Sequence, residues 1–220
     1  IEKVIASGKE RIPIGEETGI FSLIVGQKVT QKKSIFSDIE NFKEQIIRKY
    51  EERKLIQKKF NYVFTDKSLN NFFYLELIKE IYPNAKVINC KRDILSIIMS
   101  ILKNNLVDIP WAHNLEHIFK YINIYYETSN FLKKIFPNFI YELQYEKLVD
   151  NPEIESKKLL KFCNLPWDIK CLEFYKRKDI ISQTASNIQI RKSIYKDSID
   201  KYVPYKQFLN KYRGKYYWFD

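Results

Sequence analysis

Two cations and a hydroxyl mark where this sequence could do chemistry. Lys67 follows a short apolar run, Tyr62–Thr65, and Arg92 follows a second one, Lys86–Cys90. Ser100 lies eight residues after Arg92. The two runs read as strands, and the amphipathic stretch between them, closed by a Pro83-Asn84 turn, reads as a helix. The whole predicts a strand–helix–strand unit of a parallel sheet. In open α/β sheets, ligands bind outside the carboxyl ends of the strands. Lys67 and Arg92 both fall there, and two cations call for an anionic ligand. A guanidinium fork with a hydroxyl near the start of a helix suits a phosphate group. Upstream lie two acids, Glu16 and Glu17, in the run GEET. In a basic chain, acids beside an anion site repel the ligand unless one has a task. Taking a proton from an acceptor hydroxyl is such a task.

The elements that must position these residues follow from periodicity. Residues 1–8 have helical spacing (Ile1, Val4, Ile5) ended by Gly8. IPIGEETGI reads as a short strand or loop, and residues 21–36 as irregular. From Ser37, a candidate N-cap, to about Lys58 the positions Ile39, Phe42, Ile46, Ile47 and Tyr50 predict a long amphipathic helix. A helix runs from Ile94 to about Asn105, residues 104–114 form a loop, and Asn114 to Ile135 is again helical. Pro137-Asn138 turns the chain into a strand over Phe139–Leu143, followed by Tyr145-Glu146. Pro152 starts a helix ending at Phe162. Residues 164–182 are mixed, residues 184–198 read as a loop, and the tail after Pro204 is aromatic and basic. No repeat or low-complexity linker interrupts residues 1–220, which predicts one domain.

The chain has 220 residues, 45% hydrophobic and 15% aromatic, which supports a real core. Its formal charge of +11, from 38 Lys+Arg against 27 Asp+Glu, favours an anionic partner or reflects a basic solvated surface. The basic residues are scattered, so nucleic acid is not the expected partner. Three cysteines are too few for a disulfide framework. Cys90 and Cys163 read as core residues, which fits a reducing compartment, and a cytoplasmic location is expected. No apolar run reaches membrane-spanning length. His113 and His117 stand four apart, as metal ligands can, but without a third ligand, and read as surface or acceptor-cleft residues. The aromatics around Tyr121, Tyr125 and Tyr126 read as packing residues. Met99 is the single methionine, so the sequence as it stands does not open at a start codon.

The motifs fall in one order: GEET, DKSLNNFFYLELIKEIYPNAKVINCKRD, the serine eight after the arginine, YEKLVDNPE, LLKFCNLPWD and TASNIQIRKSIY. Each piece alone is common, but the ordered set with its spacing resembles the sulfotransferase family. It is most similar to the tetratricopeptide-linked bacterial sulfotransferases and the tyrosylprotein sulfotransferases. The resemblance covers nearly all of residues 1–205. It implies an α/β fold, a P-loop-kinase-like parallel sheet flanked by helices. It also implies transfer of a sulfuryl group from 3′-phosphoadenosine 5′-phosphosulfate (PAPS) to an acceptor hydroxyl or amine of a protein, glycan or small molecule. The product would be adenosine 3′,5′-bisphosphate, and no metal is required.

The same resemblance implies residue roles. Arg92 and Ser100 match the pair that holds the 3′-phosphate, and Tyr145 matches a cofactor-contacting tyrosine. Ser186, Arg191 and Lys192 match a late loop that closes over the nucleotide. Lys67 matches the lysine that stabilises the transferring group. Glu17 matches the catalytic base of the tyrosylprotein members, with Glu16 as a competitor.

One family feature is missing from the sequence. The Gly-rich phosphosulfate loop and the first strand should precede the helix that begins at Ile1, and no G-x-x-x-x-G-K-[ST] run occurs anywhere. Residues 1–220 alone are therefore expected to show little activity and to be less stable than a longer parent. Gly19 also replaces a residue that is basic in tyrosylprotein members. Two rivals stand beside this reading. One is a non-catalytic α/β module that binds polyanions or nucleic acid, which would need clustered basic residues. The other is a P-loop nucleotide kinase relative, which would need a Walker loop.

Overall fold

Most of the periodic runs form helices in the computed structural model, which describes residues 1–56, 63–104, 106–177, 193–194 and 202–219. The architecture is mixed: many helices and a small two-stranded parallel sheet. The chain divides into two compact units, Ile1–Ala85 with Ser156–Ser193 and Lys86–Glu155 with Ile194–Asp220.

The first unit contains α1 (Glu2–Ala6), α2 (Ile20–Thr30), α3 (Ile39–Glu52) and α4 (Leu75–Ile81), with a 3₁₀ segment over Leu69–Tyr74. Helix α3 is capped by Asp38 rather than Ser37: the Asp38 Oδ1 accepts from the Asn41 amide at 3.2 Å. It ends at Glu52, short of the expected Lys58, and Lys54 beyond it is left-handed at φ 59°. Its buried stripe is Phe42, Ile46 and Tyr50, successive four-residue steps along one face.

Helix α2 corrects the irregular reading of residues 21–36. Ile20, Phe21, Leu23, Ile24 and Val25 put apolar groups on every side of the segment and hide its period. Burial of Ile20, Phe21 and Ile24 in one core with Phe42, Ile46 and Tyr50 selects the helix instead.

The expected strand at Tyr62–Thr65 is reduced to one bridge. Tyr62 lies outside the described residues. Thr65 pairs in parallel with Ile14, its amide donating to Pro13 O (3.1 Å) while the Gly15 amide donates to Thr65 O (2.9 Å). The run IPIGEET supplies the partner, and the described two-stranded sheet consists of Val87–Lys91 and Ile140–Gln144.

The second unit contains β1 (Val87–Lys91), α5 (Ile94–Lys103), α6 (Leu115–Ile135), β2 (Ile140–Gln144), α7 (Tyr145–Asp150) and, near the carboxyl end, α9 (Lys206–Asn210). Helix α8 (Pro152–Phe162) begins at its expected proline. β1 and β2 pair in parallel from Val87↔Ile140 to Lys91↔Gln144. The helices between them supply the crossover that a parallel pair needs. Asn114 caps α6, its Oδ1 accepting from the amides of Glu116 (2.9 Å) and His117 (3.2 Å). Ile98 and Met99 of α5 pack with Ile118, Phe119 and Ile122 of α6 and with Leu209, Trp218 and Phe219. The aromatic tail is thus part of this core. The cysteines differ from expectation: Cys90 is exposed and Cys163 half-buried, while Cys171 is the buried one, and all three are free. No helix among the described residues is long and apolar enough to cross a membrane.

Two glycines test this packing with opposite signs. A Cβ on Gly15 would fall 2.2 Å from Thr65 O, whereas one on Gly26, inside α2, meets nothing within 4 Å. Gly15→Ala is expected to destabilise the protein by roughly 1–3 kcal/mol through backbone overpacking. Gly26→Ala is expected to stabilise it by about 0.5–1 kcal/mol through helix propensity. Thermal unfolding of both variants checks the pair, and a melting temperature raised by Gly15→Ala would refute the close approach.

Candidate active site

The GEET segment and the segment carrying Lys67 run side by side and are tied at four levels. Gly15 N donates to Thr65 O (2.9 Å) and Lys67 N to Glu16 O (2.7 Å). Thr18 Oγ1 donates to Asp66 Oδ2 (2.5 Å), and Gly19 N donates to Ser68 Oγ (2.8 Å). Gly19 takes a left-handed turn, φ 63°, a conformation glycine adopts without steric cost, and α2 begins directly after it. In this register Lys67 Nζ meets Glu17 Oε1 at 2.8 Å. Both side chains remain open to solvent, Glu17 at 56% and Lys67 at 36%.

Glu16 is used differently. Its backbone is left-handed at φ 51°, which turns its carboxylate away from its neighbour's direction. Glu16 Oε1 accepts from Lys3 Nζ at 2.9 Å, and its side chain is only 14% exposed. Glu2 Oε1 accepts from the Glu16 amide (3.0 Å) and from Thr65 Oγ1 (2.6 Å), fastening α1 to the same two segments. Of the two adjacent acids, Glu16 is bound into the fold while Glu17 faces water beside a lysine.

The residue that organises this arrangement is Asp66. Its Oδ1 accepts from Ser68 N (2.9 Å), Ser68 Oγ (2.6 Å) and Asn71 Nδ2 (3.2 Å), and its Oδ2 from Thr18 Oγ1 and Tyr50 OH (2.7 Å). Burial, followed by the negative charge of Asp66, holds the Tyr50 phenol far above its usual range, so it stays a donor. Sequence reading missed Asp66, although Asp66-Lys67-Ser68 carries a local signal: an aspartate accepting from the amide two residues on is an Asx turn.

In the second unit, parallel pairing does the positioning. Lys91 and Gln144 are the last register partners of β1 and β2. Their successors, Arg92 and Tyr145, therefore leave the sheet together, and the Arg92 guanidinium lies over the Tyr145 ring, 5.2 Å from its centroid. The neighbours of both residues secure the junction. Asp93 caps α5, its Oδ1 accepting from Ser96 N at 2.7 Å, and Asp93 N donates to Glu146 Oε1 at 2.8 Å. Ser100, half-buried and one helical face further along α5, has its Oγ 3.2 Å from Asn104 Nδ2. Ser186, Arg191 and Lys192 lie outside the described residues.

His113 Nε2 contacts Leu106 O at 3.1 Å. No group of three His, Cys, Asp or Glu side chains among the described residues is placed to hold a metal ion.

These two groups of side chains differ in energetic weight. Asp66→Ala would leave the buried donors of Thr18 and Tyr50 without their acceptor and is expected to cost about 3 kcal/mol or more. Glu17→Gln removes one member of an exposed pair and should change stability by no more than about 1 kcal/mol. Urea unfolding midpoints of the two variants measure the contrast.

Comparison with known proteins adds the family. A model described as the sulfotransferase family matches residues 23–169, about two thirds of the chain. An uncharacterized protein of Aquifex aeolicus (strain VF5) is 38% identical over 148 residues, which cover 66% of this chain and 19% of that protein. The chain therefore spans about a fifth of the length of the curated relative it matches.

Proposed function

This chain belongs to the sulfotransferase family, and from that premise we propose that it transfers a sulfuryl group from PAPS to an acceptor hydroxyl or amine. The observation that carries the reading is the solvent-open Glu17–Lys67 pair, 2.8 Å apart on two tied segments. A carboxylate able to accept a proton and an ammonium able to stabilise an oxyanion are both needed at a reacting centre of this kind.

PAPS, when bound, supplies an activated sulfuryl group on a phosphate oxygen. Glu17 accepts the acceptor's proton as the acceptor oxygen or nitrogen forms its bond to sulfur. Lys67 stabilises the negative charge left on the phosphate oxygen when the old S–O bond breaks. Like phosphoryl transfer, the step depends on alignment and on charge stabilisation. Arg92 and Ser100 hold the 3′-phosphate, and the Tyr145 ring steadies the guanidinium. The pairing beyond the strands supports this assignment: a fork of N–H donors over an aromatic face, at the carboxyl end of a parallel strand, suits a phosphorylated nucleoside. Ser186, Arg191 and Lys192, outside the described residues, are proposed as cofactor-binding residues. The competitor Glu16 is less suited to the base role because Lys3 already holds it in a buried ion pair.

Calorimetry on the full-length protein tests the anchor. Adenosine 3′,5′-bisphosphate is expected to bind, and Arg92→Ala to weaken binding by roughly 2–4 kcal/mol. Transfer from ³⁵S-labelled PAPS tests the base. Glu17→Gln should lower turnover at least about 100-fold with bisphosphate affinity unchanged. Full activity in Glu17→Gln with loss in Glu16→Gln would reassign the base, and absence of bisphosphate binding would end the reading.

A further inference from the structure

We infer that Asp66 is a positioning residue whose carboxylate, by holding Thr18 and Ser68 at once, fixes the register in which Glu17 meets Lys67. The inference rests on the reading of Glu17 and Lys67 as the reacting pair. Asp66 precedes Lys67 in the chain, and Thr18 follows Glu17. One oxygen of Asp66 receives Thr18, from the segment that carries Glu17. The other receives Ser68 N and Ser68 Oγ, from the segment that carries Lys67. Ser68 in turn accepts the Gly19 amide, closing a loop of contacts around both candidate residues.

The chemistry explains why an aspartate suits this place. Five donor groups converge on its two oxygens, and two of them, Ser68 N and Asn71 Nδ2, can only donate. An acceptor-only group satisfies all five. Tyr50 anchors the same carboxylate to α3 from the buried side, so the register is referred to the core rather than to the exposed loop. An exposed ion pair alone would not hold two long side chains in one geometry, because their rotamer freedom opposes it. The fixed backbone register does so for them.

The test uses the full-length protein and Thr18→Val, which keeps the side chain's shape and removes the donor to Asp66. Two readouts are taken. The first, without nucleotide, is amide hydrogen exchange at Gly19 and Lys67, whose N–H groups donate across the two segments. The second is kcat and KM for release of ³⁵S from labelled PAPS, with water and 4-nitrophenol as acceptors. Exchange at both amides is expected to rise about tenfold or more. The kcat should fall about 10–100-fold, the scale of a misplaced reacting group. KM for PAPS should stay within about threefold, and Thr18→Ser should restore both readouts. Ile46→Val, on the buried face of α3, should lower the melting temperature without moving either.

Unchanged exchange in Thr18→Val would overturn the inference. So would raised exchange with kcat held within about threefold, or a loss of kcat that Ile46→Val reproduces in proportion to its melting temperature. Full activity in Glu17→Gln would instead overturn the reading of Glu17 as base, and the positioning role with it.

Discussion

The first unit is built around a carboxylate that receives more donors than it has obvious need for. Asp66 gathers a threonine, a tyrosine, a serine amide, a serine hydroxyl and an asparagine. A buried polar group left unpaired is costly, so each of these donors is constrained by the acceptor it would otherwise lose. The consequence reaches outward. Thr18 and Ser68 are fixed, hence the GEET segment and the Lys67 segment are in register. Glu17 and Lys67 then project to solvent from backbones that have little freedom.

Space decides the rest of that junction. Gly15 lets the two backbones approach to hydrogen-bond distance, where any side chain would strike Thr65 O. The left-handed turn at Glu16 then separates two adjacent acids into different environments. One is paired with Lys3 inside the fold and one with Lys67 at the surface. The same chemical group is thus bound into the fold at one position and open to solvent at the next.

In the second unit the organising constraint is the parallel register. Strands that run side by side in the same direction end together, so the residues just beyond them are delivered as neighbours. Arg92 and Tyr145 owe their contact to this rule, and the Asp93 amide reinforces it by donating to the Glu146 carboxylate. Tyr125 of α6 donates to Asn89 Oδ1 of β1 at 2.5 Å, which ties the long helix to the strand that presents Arg92.

The sequence by itself determined what near neighbours along the chain can determine. The helices over residues 39–52, 94–103, 115–135 and 152–162 were legible because caps and three-to-four-residue spacing act within a few turns. The strands at 87–91 and 140–144 were legible within a residue for the same reason, and so were the cation beyond the first and the tyrosine beyond the second. The ordered motifs also indicated the family. Tertiary structure alone decided which partner Thr65 takes and that the evenly apolar segment 20–30 is a helix. It also decided which of Glu16 and Glu17 is buried, and that Asp66 ties Thr18 and Tyr50 to Ser68. Each of these depends on contacts between residues from 13 to about 50 positions apart, where local spacing carries no signal. There the outcome is set by which buried donors find acceptors and which backbones can approach without a Cβ between them.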